Sequence, residues 1–272
     1  MTVAALDLTQ LTPLLDLLDG SEVVLGSFTE EEIAAVDPPD DDPLVPLPLL
    51  DPLSEGARAS VMATAMRSLM ARGLVSLADD PERVLLTGAL ATAVSLRSAP
   101  NSVLIVEHVE ADDPARVVVY GTGIPADSGR QLLLMEESVA LLGHHDFVLR
   151  SVEGQAAVLA EWLGTPAPSE NGEVPGGGTL DAALDEPRSV TRLYALRRED
   201  DGSDAEGEFS EVELTLVDGG PHGKWMVLFQ PGTDGDREGI LAVPVERLDL
   251  PAVFAALLRL DLGPFNVALA AG

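Results

Sequence analysis

Two stretches of the chain repeat one layout: DFVLRSVEGQAAVLAEWLG at 146–164 and EGILAVPVERLDLPAVFAALLRL at 238–260. Each begins with a strand-like run, passes a brief connector and ends in a helix with apolar residues at helical spacing. In the first helix Ala156, Leu159, Ala160 and Leu163 share one side. Strands and one-sided helices must each bury an apolar face, so a meander closed by a helix, occurring twice, points to two related halves that share a sheet or abut. The expectation is an α+β protein of two related subdomains, each with antiparallel strands and flanking helices. Two unrelated strand–helix units would leave the same trace, because such units are common.

The stretch GTPAPSENGEVPGGG at 164–178 is rich in Pro, Gly and Ser and keeps no apolar period, which marks a linker. It places an N-terminal subdomain at 1–163, a linker at 164–187 and a C-terminal subdomain at 188–272. Helices are expected at 9–18, where Leu11, Leu14, Leu15 and Leu18 recur, and at 87–97, ending before Pro100. Another is expected at 60–72, with Val61, Met62, Ala65, Leu69 and Met70 on one side and Gly73 as a left-handed C-cap. A strand at 23–28 precedes VDPPDDDPLVPLPLLDPL at 36–53, whose prolines remove backbone donors and predict an extended acidic connector. Strands are expected at 102–109, 116–120, 131–137 and 146–152, then a helix at 153–163. After the linker the pattern gives strands at 189–197, 209–217, 225–229 and 239–245, then a helix at 250–260.

Charge narrows the functional classes. Against 16 Lys+Arg stand 46 Asp+Glu, a formal net charge of −30, which repels nucleic-acid phosphates and anionic membranes and steers basic or neutral protein partners. A hydrophobic content of 46% argues for a real core rather than a disordered chain. There is no cysteine, so disulfides, thiol nucleophiles and Cys-ligated metals are excluded. The first twenty residues lack a basic n-region and carry aspartates through their apolar run, which reads as neither signal peptide nor membrane span and leaves a cytoplasmic location as the default.

The stretch VDGGPHGKWMVLFQ at 217–230 holds the only lysine, Lys224. A phosphate-binding P-loop needs one more residue between its glycines and a hydroxyl after the lysine, where Trp225 stands, so the stretch reads as a hairpin turn. Gly219, Gly220 and Gly223 are expected to supply unusual φ values, with Pro221 fixing one. His144 and His145 are adjacent in a strand and point to opposite faces, which gives a mononuclear metal site too few ligands. His108 and Glu110 read as a solvated strand face, and the pairs Glu136-Glu137 and Asp40-Asp41-Asp42 as solvated surface. No nucleophile elbow, dinucleotide fingerprint or zinc-protease helix is present. No catalytic, cofactor-binding or metal-binding residue is assigned, no cofactor is implied, and the chain is expected not to be an enzyme.

Two blocks carry a family resemblance. MATAMRSLMARGLVSLADDPERVLLTGALATAVSLRSAPNSVLIVEHV resembles the N-terminal half of EspG, the cytosolic chaperone family of mycobacterial type VII secretion. VDGGPHGKWMVLFQPGTDGDREGILAVPVERLDLPAVFAALLRL is similar to that family's C-terminal pattern. The matching positions are Asp218, Gly223, Lys224, Trp225, Ala242, Pro244, Leu257 and Leu258, with lysine where the family more often has arginine. The resemblance implies a quasi-symmetric fold with a central antiparallel sheet flanked by helices, and a chaperone that binds helical secretion substrates of the PE–PPE or WXG100 kind in the cytosol, with turns of the second half, at 199–208 and 231–237, as the partner-facing loops. The excess of Arg over Lys is consistent with an actinobacterial source. A different class also fits the first block: a winged-helix regulatory or adaptor protein built on 60–97. It requires Arg58, Arg67, Arg72 and Arg83 to cluster into a basic face.

Overall fold

The computed structural model describes residues 2–3, 11–18, 22–37, 45, 47–78, 83–98, 100–110, 113–126, 129–140, 143–163, 179–198, 209–231 and 237–259. The linker stretch 164–178 and the loop 199–208, expected to face a partner, lie outside them, as does most of the loop at 231–237. The chain divides into two units that interleave in sequence: 1–101 with 118–151, and 102–117 with 152–272. The expected division at 164–187 is sequential. The observed one instead changes unit three times, because strand 102–110 and the helix after 151 both pack with the C-terminal elements.

The first unit begins with β1 (Thr2–Val3), α1 (Thr12–Leu17), β2 (Val23–Thr29), α2 (Glu30–Val36) and α3 (Glu55–Ala71). A hairpin of β3 (Val75–Leu77) and β4 (Arg83–Leu86) follows, then α4 (Gly88–Ser98). β1, β4 and β3 form a small sheet in that order. Ser54 caps α3, and Gly73, at φ 72°, makes the expected left-handed exit. Of the predicted α3 face, Ala65 and Leu69 are buried and Val61 and Met62 half-buried, while Met70 stays exposed.

The second unit contains β5 (Ser102–Glu110) and α5 (Val152–Trp162), then α6 (Leu180–Asp185), β9 (Ser189–Arg198), β10 (Phe209–Asp218), β11 (Lys224–Pro231), β12 (Arg237–Pro244) and α7 (Leu250–Arg259). Between β5 and α5 run β6 (Asp113–Ala126), β7 (Gly129–Ala140) and β8 (His144–Arg150). In the second unit the strand order is β12-β11-β10-β9-β5, and the first unit carries β6-β7-β8-β2. The registers of β12–β11, β11–β10, β10–β9, β9–β5, β7–β8 and β8–β2 are antiparallel. Antiparallel sheet flanked by helices is the α+β architecture that the sequence pattern predicts.

The repeated layout is present as secondary structure. β8 runs into α5 through Ser151, and β12 runs into α7 through a 3-10 turn at Val245–Arg247. α5 and α7 pack on each other. Ala156, Leu159, Ala160 and Leu163 are all buried, as the α5 periodicity predicts, and α7 buries Val253, Phe254, Leu257 and Leu258.

Two short helices fall where none is expected. α2 follows β2 without a break, started by a capping box in which the Thr29 hydroxyl accepts from Glu32 N and the Glu32 carboxylate from Thr29 N. α6 sits inside the predicted linker, capped by the Thr179 side chain.

Candidate functional site

Glu137 on β7, in the first unit, has no exposed surface. In the β7–β8 register Glu137 lies opposite Phe147, so His145, two residues earlier, is its diagonal neighbour on the same face. One carboxylate oxygen accepts from His145 Nδ1 at 2.7 Å. The other accepts from Tyr120 O–H at 2.7 Å and Arg97 Nε at 3.1 Å. Arg97, in the last turn of α4, also donates through Nη1 to Asp37 at the C-cap of α2, at 2.8 Å. An ionised carboxylate only accepts, so the histidine proton shared with it sits on Nδ1. Burial alone would raise the Glu137 pKa, but the His145 hydrogen bond and the Arg97 charge outweigh it and hold the carboxyl below its ordinary value. Burial and the neighbouring Glu137 charge push the Tyr120 phenol well up, keeping it a donor.

This knot corrects the reading of Glu136-Glu137 as solvated surface. Glu136 is half-buried and pairs with Arg150 at 2.9 Å, while Arg150 also reaches Glu22. The opposite faces of His144 and His145 are as expected: His144 is exposed and His145 fully buried, its Nε2 without a partner among the described residues. A signal for the buried acid was present in the sequence, because Glu137 has the strand parity of Leu133 and Met135, both fully buried. Chemically the knot ties β6, β7, β8, α4 and α2 together around a saturated carboxylate.

A second buried acid, Glu30, opens α2. Its carboxylate accepts from Leu49 N at 3.0 and 3.1 Å and from Leu50 N at 2.7 Å. Burial raises its pKa, and those two backbone donors offset only part of that shift. Within the expected extended connector, residues 47–53 are therefore folded as turns. Leu47 and Leu50 are buried in a cluster with Ala34.

In the second unit, His108 Nδ1 lies 2.7 Å from Thr191 Oγ1, and its ring tilts against Trp162 with centroids 5.8 Å apart. This half-buried packing replaces the solvated face expected for His108. Beside it lies a pocket of about 20 Å³ bordered by His108, Thr191, Asp218 and Lys224, room for a water. Lys224 pairs with Asp218 at 3.3 Å and donates to Leu163 O, just past α5, at 3.0 Å.

The stretch that holds Lys224 is a hairpin turn, with Val217 opposite Trp225 and Asp218 opposite Lys224. Gly220 and Gly223 adopt φ of 57° and 85°. Gly219 departs from expectation with an ordinary φ of −88°. It is needed for space, because a Cβ there would stand 2.5 Å from Ala183 Cβ.

The arginines required by a winged-helix reading diverge. Arg58 and Arg67 lie on opposite sides of α3, nine positions at about 100° each. Arg58 turns to Leu50 O and Asp51, Arg67 to Thr64, and Arg72 to the Glu32 carboxylate at 2.8 and 2.9 Å. The Arg83 side chain lies outside the described residues. Among the described residues no three His, Asp or Glu side chains gather as metal ligands, and no helix is long and apolar enough to cross a membrane. Comparison with known protein families and with curated proteins finds no match for this chain.

Proposed function

We propose that the chain is a cytoplasmic binding protein for helical secretion substrates of the PE–PPE or WXG100 kind, a chaperone of the EspG type. The observation that supports this reading is the paired strand–helix layout: β8–α5 and β12–α7 recur, and the two helices pack on one another, the quasi-symmetric organisation that the sequence resemblance implies. The physical logic agrees with it. A helical hairpin with an apolar tip aggregates alone, and burying that tip across an interface of about 1,200–2,000 Å² keeps it soluble. A carrier at −30 repels copies of itself and draws basic or neutral partners.

The hairpin β3–β4 after α3 favours a second reading, a winged-helix regulator, because a helix followed by a two-stranded wing is that layout. The divergence of Arg58, Arg67 and Arg72 and the net charge weigh against its binding DNA. Co-expression with small helical secretion substrates encoded beside this gene is expected to give a stable co-purifying complex. Failure with every such neighbour, together with a DNA mobility shift at low salt, would transfer support to the regulator.

A further inference from the structure

Helix α3 departs from the rest of the chain in composition. Of 46 Asp+Glu residues none falls between Gly56 and Ala71, while Arg58 and Arg67 lie on this helix and Arg72 caps its end. Its core side is narrow: Ala65 and Leu69 are buried, with Val61 and Met62 half-buried beside them. At about 100° per residue, Ala59, Ala63, Met66 and Met70 fall within about 60° of one another on a different side. Ala59 and Ala63 are exposed, Met70 is 38% exposed and Met66 is half-buried. The charged residues that give a surface helix a polar outer face are missing from this stripe.

Arg67 borders the stripe, about 40° beyond Ala63. In the first unit Arg58, Arg72, Arg97 and Arg150 each meet a carboxylate. Arg67 is exposed and, among the described residues, meets only the Thr64 hydroxyl, at 2.9 Å. A cation without a counter-charge, at the rim of an apolar stripe, is complementary to a carboxylate supplied from outside the chain.

We infer that this side of α3 is a docking face for one helix of a partner protein, which sets leucines over Ala59, Ala63, Met66 and Met70 and a glutamate against Arg67. The alanines let the two helix axes approach to about 8 Å, the close end of helix packing, and the methionine thioethers adapt to the side chains they meet. One helix face buries less than the about 1,200 Å² of a stable complex, so the contact is transient, as a carrier that must release its partner requires. This inference rests on the reading of the chain as a carrier of helical partners, and names the surface that such a partner meets.

The test uses the full chain and an alanine-based probe peptide of about 20 residues, with leucines at i, i+4 and i+7 flanked by glutamates. One control peptide has lysine for glutamate and a second has serine for leucine. Methionine methyl NMR reads the face directly, because the chain has six methionines: Met66 and Met70 lie on the stripe, while Met135 and Met226 are buried in strands. At about 0.15 M salt the Debye length of about 8 Å screens the field of the whole molecule and leaves the contact pair. The leucine–glutamate peptide is expected to shift Met66 and Met70 saturably and to leave Met135 and Met226 in place. Arg67→Glu is expected to weaken that peptide about fivefold and to strengthen the lysine peptide by a similar factor. Ala63→Asp, at an exposed position, is expected to abolish the shifts with thermal unfolding near that of wild type.

Unmoved Met66 and Met70 resonances, equal shifts from the serine control, or an Arg67→Glu protein that binds both charged peptides as wild type does would overturn the inference. A concentration-dependent dimer that moves Met66 and Met70 without peptide gives the face to a second copy and also overturns it. Encoded secretion substrates that co-purify equally with wild type and Ala63→Asp place docking elsewhere, which removes the face and keeps the carrier reading. Peptide binding at Met66 and Met70 with no co-purifying substrate removes the carrier reading and keeps the face.

Discussion

The two units handle charge differently. In the first, Glu137 and His145 are wholly removed from solvent and Arg97 nearly so, and each is tied to partners from other strands and helices. In the second, the clasp of Lys224, Asp218 and Leu163 O keeps about a quarter of the Lys224 side chain in water. A buried charge that loses one partner strands the others in a low dielectric, whereas a half-exposed one falls back on solvent. The difference teaches that the first unit adds to its apolar core a buried polar knot whose members depend on one another, whereas the clasp of the second keeps access to solvent.

The sharpest way to break the comparison is Glu137→Gln. Arg97 and His145 would keep their burial and lose the anion between them, at a cost of about 3 kcal/mol or more in urea unfolding. A loss below about 1 kcal/mol would put the knot on the same footing as the clasp. Acid titration gives the same contrast a sign. Because folding lowers the Glu137 pKa below its ordinary 4.5, its stabilisation is present in full above that pH and is lost as pH falls through the lowered value. The stability gap between wild type and Glu137→Gln should therefore close at low pH. Glu30 works in the opposite sense: its raised pKa gives a contribution that is present at low pH and lost as pH rises through the raised value.

Turn geometry in the second unit ranks next. Gly219→Ala drives a methyl into Ala183 and should cost about 1–3 kcal/mol by thermal unfolding, because the opposing atoms belong to α6 and include its backbone. The smallest effects belong to the clasp. Lys224→Met should cost about 1 kcal/mol or less, and Lys224→Arg should stay within about 0.5 kcal/mol with partner binding unchanged. A large loss of binding in Lys224→Arg would make the lysine a contact residue rather than a fastening.

Most strands and the longer helices were legible because their periods are local: α5 and α7 show their buried stripes directly in the sequence. What escaped depends on pairing at a distance or on segments too short to carry a period. α2 is seven residues, pressed between a strand and a proline run that dominates the reading, and only the Thr29–Glu32 capping box marks it. α6 is six residues within a linker-like composition. The strand parity of Glu137 hints at burial, but its partners Arg97 and Tyr120 lie 40 and 17 positions away, a distance that no periodicity spans. The turn at 47–51 was hidden by its prolines, since the acid that folds it, Glu30, belongs to the missed helix. The interleaving of the units was equally out of reach, because strand β5 joins β9 across the whole linker.

The central claim is that this chain carries helical secretion substrates. Its most direct measurement is the soluble fraction of one such substrate, encoded beside this gene and insoluble when made alone, expressed with and without this protein. The account predicts that the substrate becomes soluble and elutes with this chain as one complex in size-exclusion chromatography. An unchanged soluble fraction for every neighbouring substrate, with this protein well folded and abundant, would contradict it.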